Sequence, residues 1–170
     1  GYVPQKGVLF SGTIDSNIRY GRPEMSESDV KLAAQIAQSD DFIEAKPEKY
    51  AASISQGGTN VSGGQKQRLS IARAIAKHPK VLIFDDSFSA LDYKTDAALR
   101  RALAEKTADA TVIIVAQRIN TILHADQILV LEEGCIVGKG THRELLETCE
   151  AYQEIANSQL SEEELKGGVC

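Results

Sequence analysis

The chain predicts an α/β fold built on a mostly parallel sheet. Two short apolar runs, Val81 to Phe84 and Thr111 to Ala116, each follow a helical pattern. The first run ends in two carboxylates, Asp85 and Asp86. Continuous apolar runs of this length mark strands covered on both faces, as in parallel sheets. Strands alternating with helices imply crossover connections. The 170 residues, 42% of them hydrophobic and 25% charged, suit one domain or most of one with a real core.

Tyr2-Val3-Pro4-Gln5 reads as a strand end running into a loop. A short helix is expected over Ser11 to Tyr20 after a turn at Gly12, and Gly21-Arg22-Pro23 breaks it. Ser26 opens the next helix, with Asp29 as an acidic capping partner. Val30, Ala33, Ala34 and Ala37 recur there at helical spacing. Another short helix fits Asp41 to Ala45, before Pro47. Residues 12 to 60 therefore read as a small helical unit.

After the loop Gln56 to Asn60, Ser62 caps a long helix from about Gly64 to Lys77, which His78-Pro79 stops. Asp92 to Glu105 is a further helix. Gln127 to Leu131 and Cys135 to Val137 flank a hairpin turn at Glu132-Glu133-Gly134. Thr141 and Glu144 form a capping box, and Ser161 to Cys170 is a polar, frayed tail.

No run is long enough to cross a bilayer, and the opening residues are not those of a signal peptide. The net charge of -5 argues against nucleic acid as a partner. Cys135, Cys149 and Cys170 form no C-x-x-C pair and read as reduced thiols. His78, His124 and His142 read as surface residues.

Ligands of open α/β sheets bind beyond the carboxyl ends of the strands. Asp85, Asp86 and Gln117 all fall at such ends. The helix that begins Ser62-Gly63-Gly64-Gln65 offers backbone N–H groups and a helix dipole to an anion, with no side chain in the way. Alone, such a start is more often a plain cap; its combination with the other segments reverses that reading.

In combination these segments resemble the nucleotide-binding domain of ATP-binding cassette (ABC) transporters. Val61 to Arg68 is similar to the family's signature motif, Val81 to Asp85 to its Walker B strand, and Ser89 to Asp92 to its D-loop. Gln5 stands at the Q-loop position, and Thr111 to Arg118 matches the switch strand. Leu9 to Ile14 with Asn17-Ile18 resembles the exporter branch. The resemblance covers Gly1 to about Tyr152.

It implies an incomplete P-loop NTPase (RecA-like) core with an inserted α-helical subdomain. Residues 1–11 would be the Q-loop end of the core and 12–77 the helical subdomain. Residues 78–158 would be the rest of the core, and 159–170 a flexible tail. It implies ATP and Mg²⁺ as cofactors and ATP-driven export as the activity. Asp85 would hold Mg²⁺, with Gln5 beside it. Ser62, Gly63, Gly64 and Gln65 would contact ATP held by a second nucleotide-binding domain, with Asp92 at that interface. A transmembrane domain fused upstream would place the chain on the cytoplasmic face of the plasma (inner) membrane. Lys66 and Arg68 would be a solvated helix face. A nucleotide-dependent dimerisation module with little hydrolysis, or an ABC ATPase outside transport, are the alternatives.

Three departures from the family stand out. The sequence contains no G-x-x-x-x-G-K-[ST] loop: Gly134 to Thr141 is one residue short, and Gly58 to Gln65 has Gly64 in place of lysine. The natural protein is therefore expected to continue upstream, with this segment alone inactive and poorly soluble. Asp86 stands where the family has a glutamate that orients the attacking water, and is shorter by roughly 1.5 Å. Gln117 replaces the switch histidine and can neither take a proton nor carry charge. With Asp86, Gln117 and Gln5 as its catalytic positions, the chain's own site reads as degenerate, and its signature as serving a different partner chain.

Overall fold

The computed structural model describes residues 1–161. The expectation for the tail beyond Ser161, and for Cys170, lies outside the described residues. The chain forms two compact units, Gly1–Val115 and Ala116 onward.

In the first unit, β1 (Tyr2–Val3) leads through a loop to β2 (Gly12–Thr13) and α1 (Ile14–Ile18). Next come α2 (Glu27–Ile36), α3 (Asp40–Glu44) and β3 (Ser53–Ile54). Then follow α4 (Gly63–Ile75), β4 (Val81–Asp85), α5 (Tyr93–Lys106) and β5 (Thr111–Val115). Strands β1, β4 and β5 form a parallel sheet in the order β1-β4-β5, so β4 lies at its centre. The region read as a small helical unit also contains an antiparallel pair, β2 with β3. Helix α1 is shorter than the expected Ser11 to Tyr20 and begins after Thr13, which caps it through a bond from the Ser16 N–H. Ser26 caps α2 by accepting from the Asp29 N–H at 3.1 Å.

Within the first unit, the described residues cover one face of the sheet. Val3, Leu82 and Phe84 are fully buried and join Val112 and Ile114 in one core with Leu69 and Ala72 of α4 and Leu99 and Leu103 of α5. Side chains alternate across a strand, so Tyr2, Val81, Ile113 and Val115 point the other way and are 42–58% exposed. The expectation of strands buried on both faces is therefore corrected: none of the described residues of this unit seals that second face. The apolar run signals a sheet built for two covers, and α4 and α5 supply one.

In the second unit, α6 (Ile119–Ile122) precedes β6 (Ile128–Glu132) and β7 (Cys135–Gly140), and α7 (His142–Thr148) and α8 (Glu150–Gln159) follow. Strands β6 and β7 pair as a hairpin. Its turn residues Glu133 and Gly134 both take positive φ, 48° and 80°, as a tight hairpin turn requires. Thr141 and Glu144 form the expected capping box on α7. The core here is Ile119, Ile128, Val130, Leu145, Cys149, Tyr152, Ala156 and Leu160. Among the described residues, no helix is long and apolar enough to cross a membrane.

Candidate functional site

The carboxyl ends of β1 and β4 lie side by side, because Val3 pairs with Phe84 in parallel register. That pairing brings the loop after β1 to the carboxylates after β4. The Gln5 Nε2 donates to Asp86 Oδ2 at 3.1 Å, and the Tyr2 hydroxyl donates to Asp85 Oδ2 at 3.0 Å. The Asp85 bond, with some desolvation, raises the Tyr2 pKa, since the phenol would lose that bond on ionising. Asp86 takes a positive φ of 44° at the sharp turn off the strand, and its N–H bonds the Val115 carbonyl. Just beyond, the buried Ser87 hydroxyl donates to the Val3 carbonyl at 2.8 Å, tying the two strand ends together.

Helix α4 opens with a reciprocal capping box. The Gln65 N–H bonds Ser62 Oγ at 3.2 Å, and the Ser62 N–H bonds Gln65 Oε1 at 3.1 Å. The first N–H groups of a helix have no acceptor within it, so those of Gly63 and Gly64 face outward at the helix mouth. No acidic residue occupies the first turn. A Cβ on Gly63 would meet nothing within 4 Å, and one on Gly64 would lie 3.6 Å from the Ala90 carbonyl. The helix mouth thus lies against the loop that leads to Asp92. Asp92 itself caps α5, its carboxylate accepting from the Thr95 N–H at 3.0 Å and the Thr95 hydroxyl at 2.7 Å. Those bonds hold its pKa below the usual carboxylate value.

The structure thus brings Gln5, Asp85 and Asp86 together, and Gly64 beside the loop before Asp92. Gln117 lies in the second unit, just past β5. There the side-chain amide of Gln159 on α8 grips its loop. It donates to the Gln117 carbonyl at 2.8 Å and accepts from the Ile119 N–H at 2.9 Å.

Arg68 is not a solvated residue of α4. Its side chain is 14% exposed, lies 4.9 Å over the Phe42 ring, and bonds Asp41 at 3.1 Å and the Gln38 carbonyl. His142 also departs from expectation: its ring, half-buried, bonds the Tyr152 hydroxyl at 2.7 Å. Burial, and then the neighbouring His124, lower the His142 pKa, and burial pushes Tyr152 up to about 12. His78 and His124 are exposed. Cys135 and Cys149 are free thiols, the second buried.

Sequence reasoning passed over the buried side chains of Gln67 and Asn17 and the bonds of the half-buried Arg73. Gln67, 1% exposed, and Asn17, 1% exposed, lie within the packed first unit. Arg73 bonds the Val8 carbonyl and both the carbonyl and side chain of Asn17, and lies 5.1 and 5.6 Å from the centroids of Phe10 and Tyr20, which stack on each other. The available signal was a polar residue on the buried face of a helix: Gln67 stands one turn before Ser70 and Ile71, both buried.

The family model described as "ABC transporter" matches residues 1–89, more than half of the chain. This chain belongs to the ABC transporter family. It is 46% identical over 162 residues to an uncharacterized ABC transporter ATP-binding protein of Mycobacterium bovis, covering 94% of this chain and 28% of that protein. It is 44% identical over 164 residues to the human ATP-binding cassette sub-family B member 6, covering 96% of this chain and 20% of that protein. A solved structure of a bacterial Atm1-family ABC exporter with ATP bound superposes with a TM-score of 0.90 at 40% identity, over 95% of this chain and 29% of that one. The chain is an ABC transporter ATP-binding segment with exporter-type relatives, and its fold is part of a P-loop NTPase core. It spans less than a third of the length of these relatives.

Proposed function

We propose that this segment works in the ATP-driven engine of an exporter, with a weakened site of its own and an intact signature that completes a partner's site. The observation that carries the reading is the meeting of Gln5, Asp85 and Asp86 at the carboxyl end of the parallel sheet. That is where ligands of such sheets bind.

Mg²⁺·ATP, when bound, supplies the phosphoanhydride whose hydrolysis drives transport. The donor set fits Mg²⁺, which takes one or two carboxylates and keeps several waters. Among the described residues no cluster of three acidic, histidine or cysteine side chains gathers. Asp85 is the carboxylate for the ion, and Gln5 offers an amide beside it. Asp86 is the base position, and the shorter side chain sets its carboxylate back from the expected place of the water. A displacement of about 1 Å can cost around a hundredfold in rate. Gln117 can donate a hydrogen bond to a phosphate but cannot exchange a proton with it. The mouth of α4 fits a phosphate held by a second nucleotide-binding domain: neutral cap, two glycines, no carboxylate in the first turn. Asp92 lies at the edge of that interface, and the partner domain belongs to a different chain. The helical subdomain is residues 12–77. A transmembrane domain fused upstream places the segment on the cytoplasmic face of the inner membrane.

ATP turnover by the full-length protein tests this, alone and co-expressed with the product of the neighbouring gene, with and without Asp86→Glu and Gln117→His. We expect near-inactivity alone, activity with the neighbour, and revival alone by the double change. Brisk hydrolysis by the unaltered protein alone makes it an ordinary homodimeric ATPase.

A further inference from the structure

Gln67 lies in the second turn of α4, two residues past the signature glutamine Gln65, and is 1% exposed. Its side-chain amide makes two bonds, both to the loop after β1. The Gly7 N–H donates to its Oε1 at 2.8 Å, and its Nε2 donates to the Pro4 carbonyl at 3.0 Å. Pro4 and Gly7 are the two shoulders of the loop that carries Gln5, and Gln5 reaches Asp86 at 3.1 Å. The loop also presses directly on the helix. A Cβ at Gly7 would come within 2.8–3.0 Å of Ser70 Oγ, Gln67 Oε1 and the Lys66 carbonyl, so only glycine admits this approach.

We propose that Gln67 is a positioning residue for Gln5, gripping both shoulders of its loop so that α4 and Gln5 move as one piece. The reasoning is geometric. A buried amide whose donor and acceptor both engage one short loop fixes its height and its orientation together. A single hydrogen bond would leave the loop free to pivot. The helix that presents Ser62–Gln65 at its mouth thereby carries Gln5 on its flank. A displacement at the helix mouth is passed to the Gln5–Asp86 contact without a change of rotamer. The functional part rests on the role of Gln5 given under Proposed function.

Two measurements test the inference, the first on the full transporter with its partner. Gln67→Leu keeps the shape and removes both bonds; Gln67→Glu keeps the acceptor for Gly7 and removes the donor to Pro4. Hydrogen exchange of the peptide spanning residues 4–8 reads the grip directly. We expect Gly7 exchange to speed up by about tenfold in Gln67→Leu and less in Gln67→Glu. Turnover is then compared with and without Gln5→Ala in the full-length protein carrying Asp86→Glu and Gln117→His, the form in which its own site is expected to turn over. We expect Gln67→Leu to lower kcat by about 10- to 100-fold with KM nearly unchanged, and to add nothing to Gln5→Ala. Additive losses, or unchanged exchange at Gly7 while Gln5→Ala is impaired, overturn the positioning role alone. Normal turnover in Gln5→Ala overturns the reading of Gln5 itself, while the exchange result still decides whether Gln67 holds the loop.

Discussion

Helices α4 and α5 begin close together, and their first turns use the same dipole in opposite ways. At α4 the cap is a neutral serine, two glycines follow, and no acidic side chain enters the first turn. At α5 the cap is a carboxylate, Asp92, which takes the Thr95 N–H and hydroxyl for itself. A helix N-terminus attracts an anion only if its own cap has not already supplied one. The comparison therefore separates a helix start open to phosphate from one that has neutralised itself.

The largest expected effect comes from closing the mouth of α4. Gly64→Asp places a carboxylate among the free N–H groups. It should lower ATP-driven turnover of the full transporter by about 10²- to 10³-fold, the scale of a preorganised anion donor. Unchanged turnover would break the comparison at its root. Ser62→Asp makes α4 resemble α5, with the helix still capped. Turnover should fall by about tenfold while urea denaturation shows no loss of stability. Ser62→Ala separates the two roles from the other side: removing the cap should cost about 1 kcal/mol in urea denaturation.

The smallest effect belongs to Asp92. Its pKa is lower in the folded protein than in the unfolded chain, so its contribution is present above the ordinary aspartate value near 4. The contribution is lost as pH falls through the depressed folded value. Asp92→Asn retains a good cap, so stability at neutral pH should change little. The acid side of the stability–pH curve should become shallower, as thermal melts between pH 2 and 5 would read. An unaltered acid limb would mean that Asp92 is not the carboxylate closing α5.

The exposed face of the sheet carries a related lesson about reading runs of apolar residues. Val81 to Phe84 and Thr111 to Val115 lie in parallel strands as their composition requires, yet every second side chain is left partly or largely exposed. Composition reports what a strand is suited to, and packing reports what covers it. Arg68 and His142 repeat the point. Each is charged or titratable and looked solvated by type, and each found a ring and a hydrogen-bond partner, Arg68 across α3 and His142 ten residues along its chain.

What the sequence determined by itself was local. Ser62 with Gln65, Thr141 with Glu144, Ser26 ahead of Asp29 and the Glu133-Gly134 turn are pairings within three residues. Backbone geometry alone decides these, so the residue types announce them. The order of motifs likewise placed Asp85 and Asp86 at a strand end. Only the tertiary structure decided which distant groups meet. Gln67 meets Gly7 across 60 residues, Arg73 meets Asn17 across 56, and Gln5 meets Asp86 across 81. An amide or a guanidinium has no preferred neighbour along the chain. Its partner is whichever backbone or side chain the packing of the chain brings within hydrogen-bond reach.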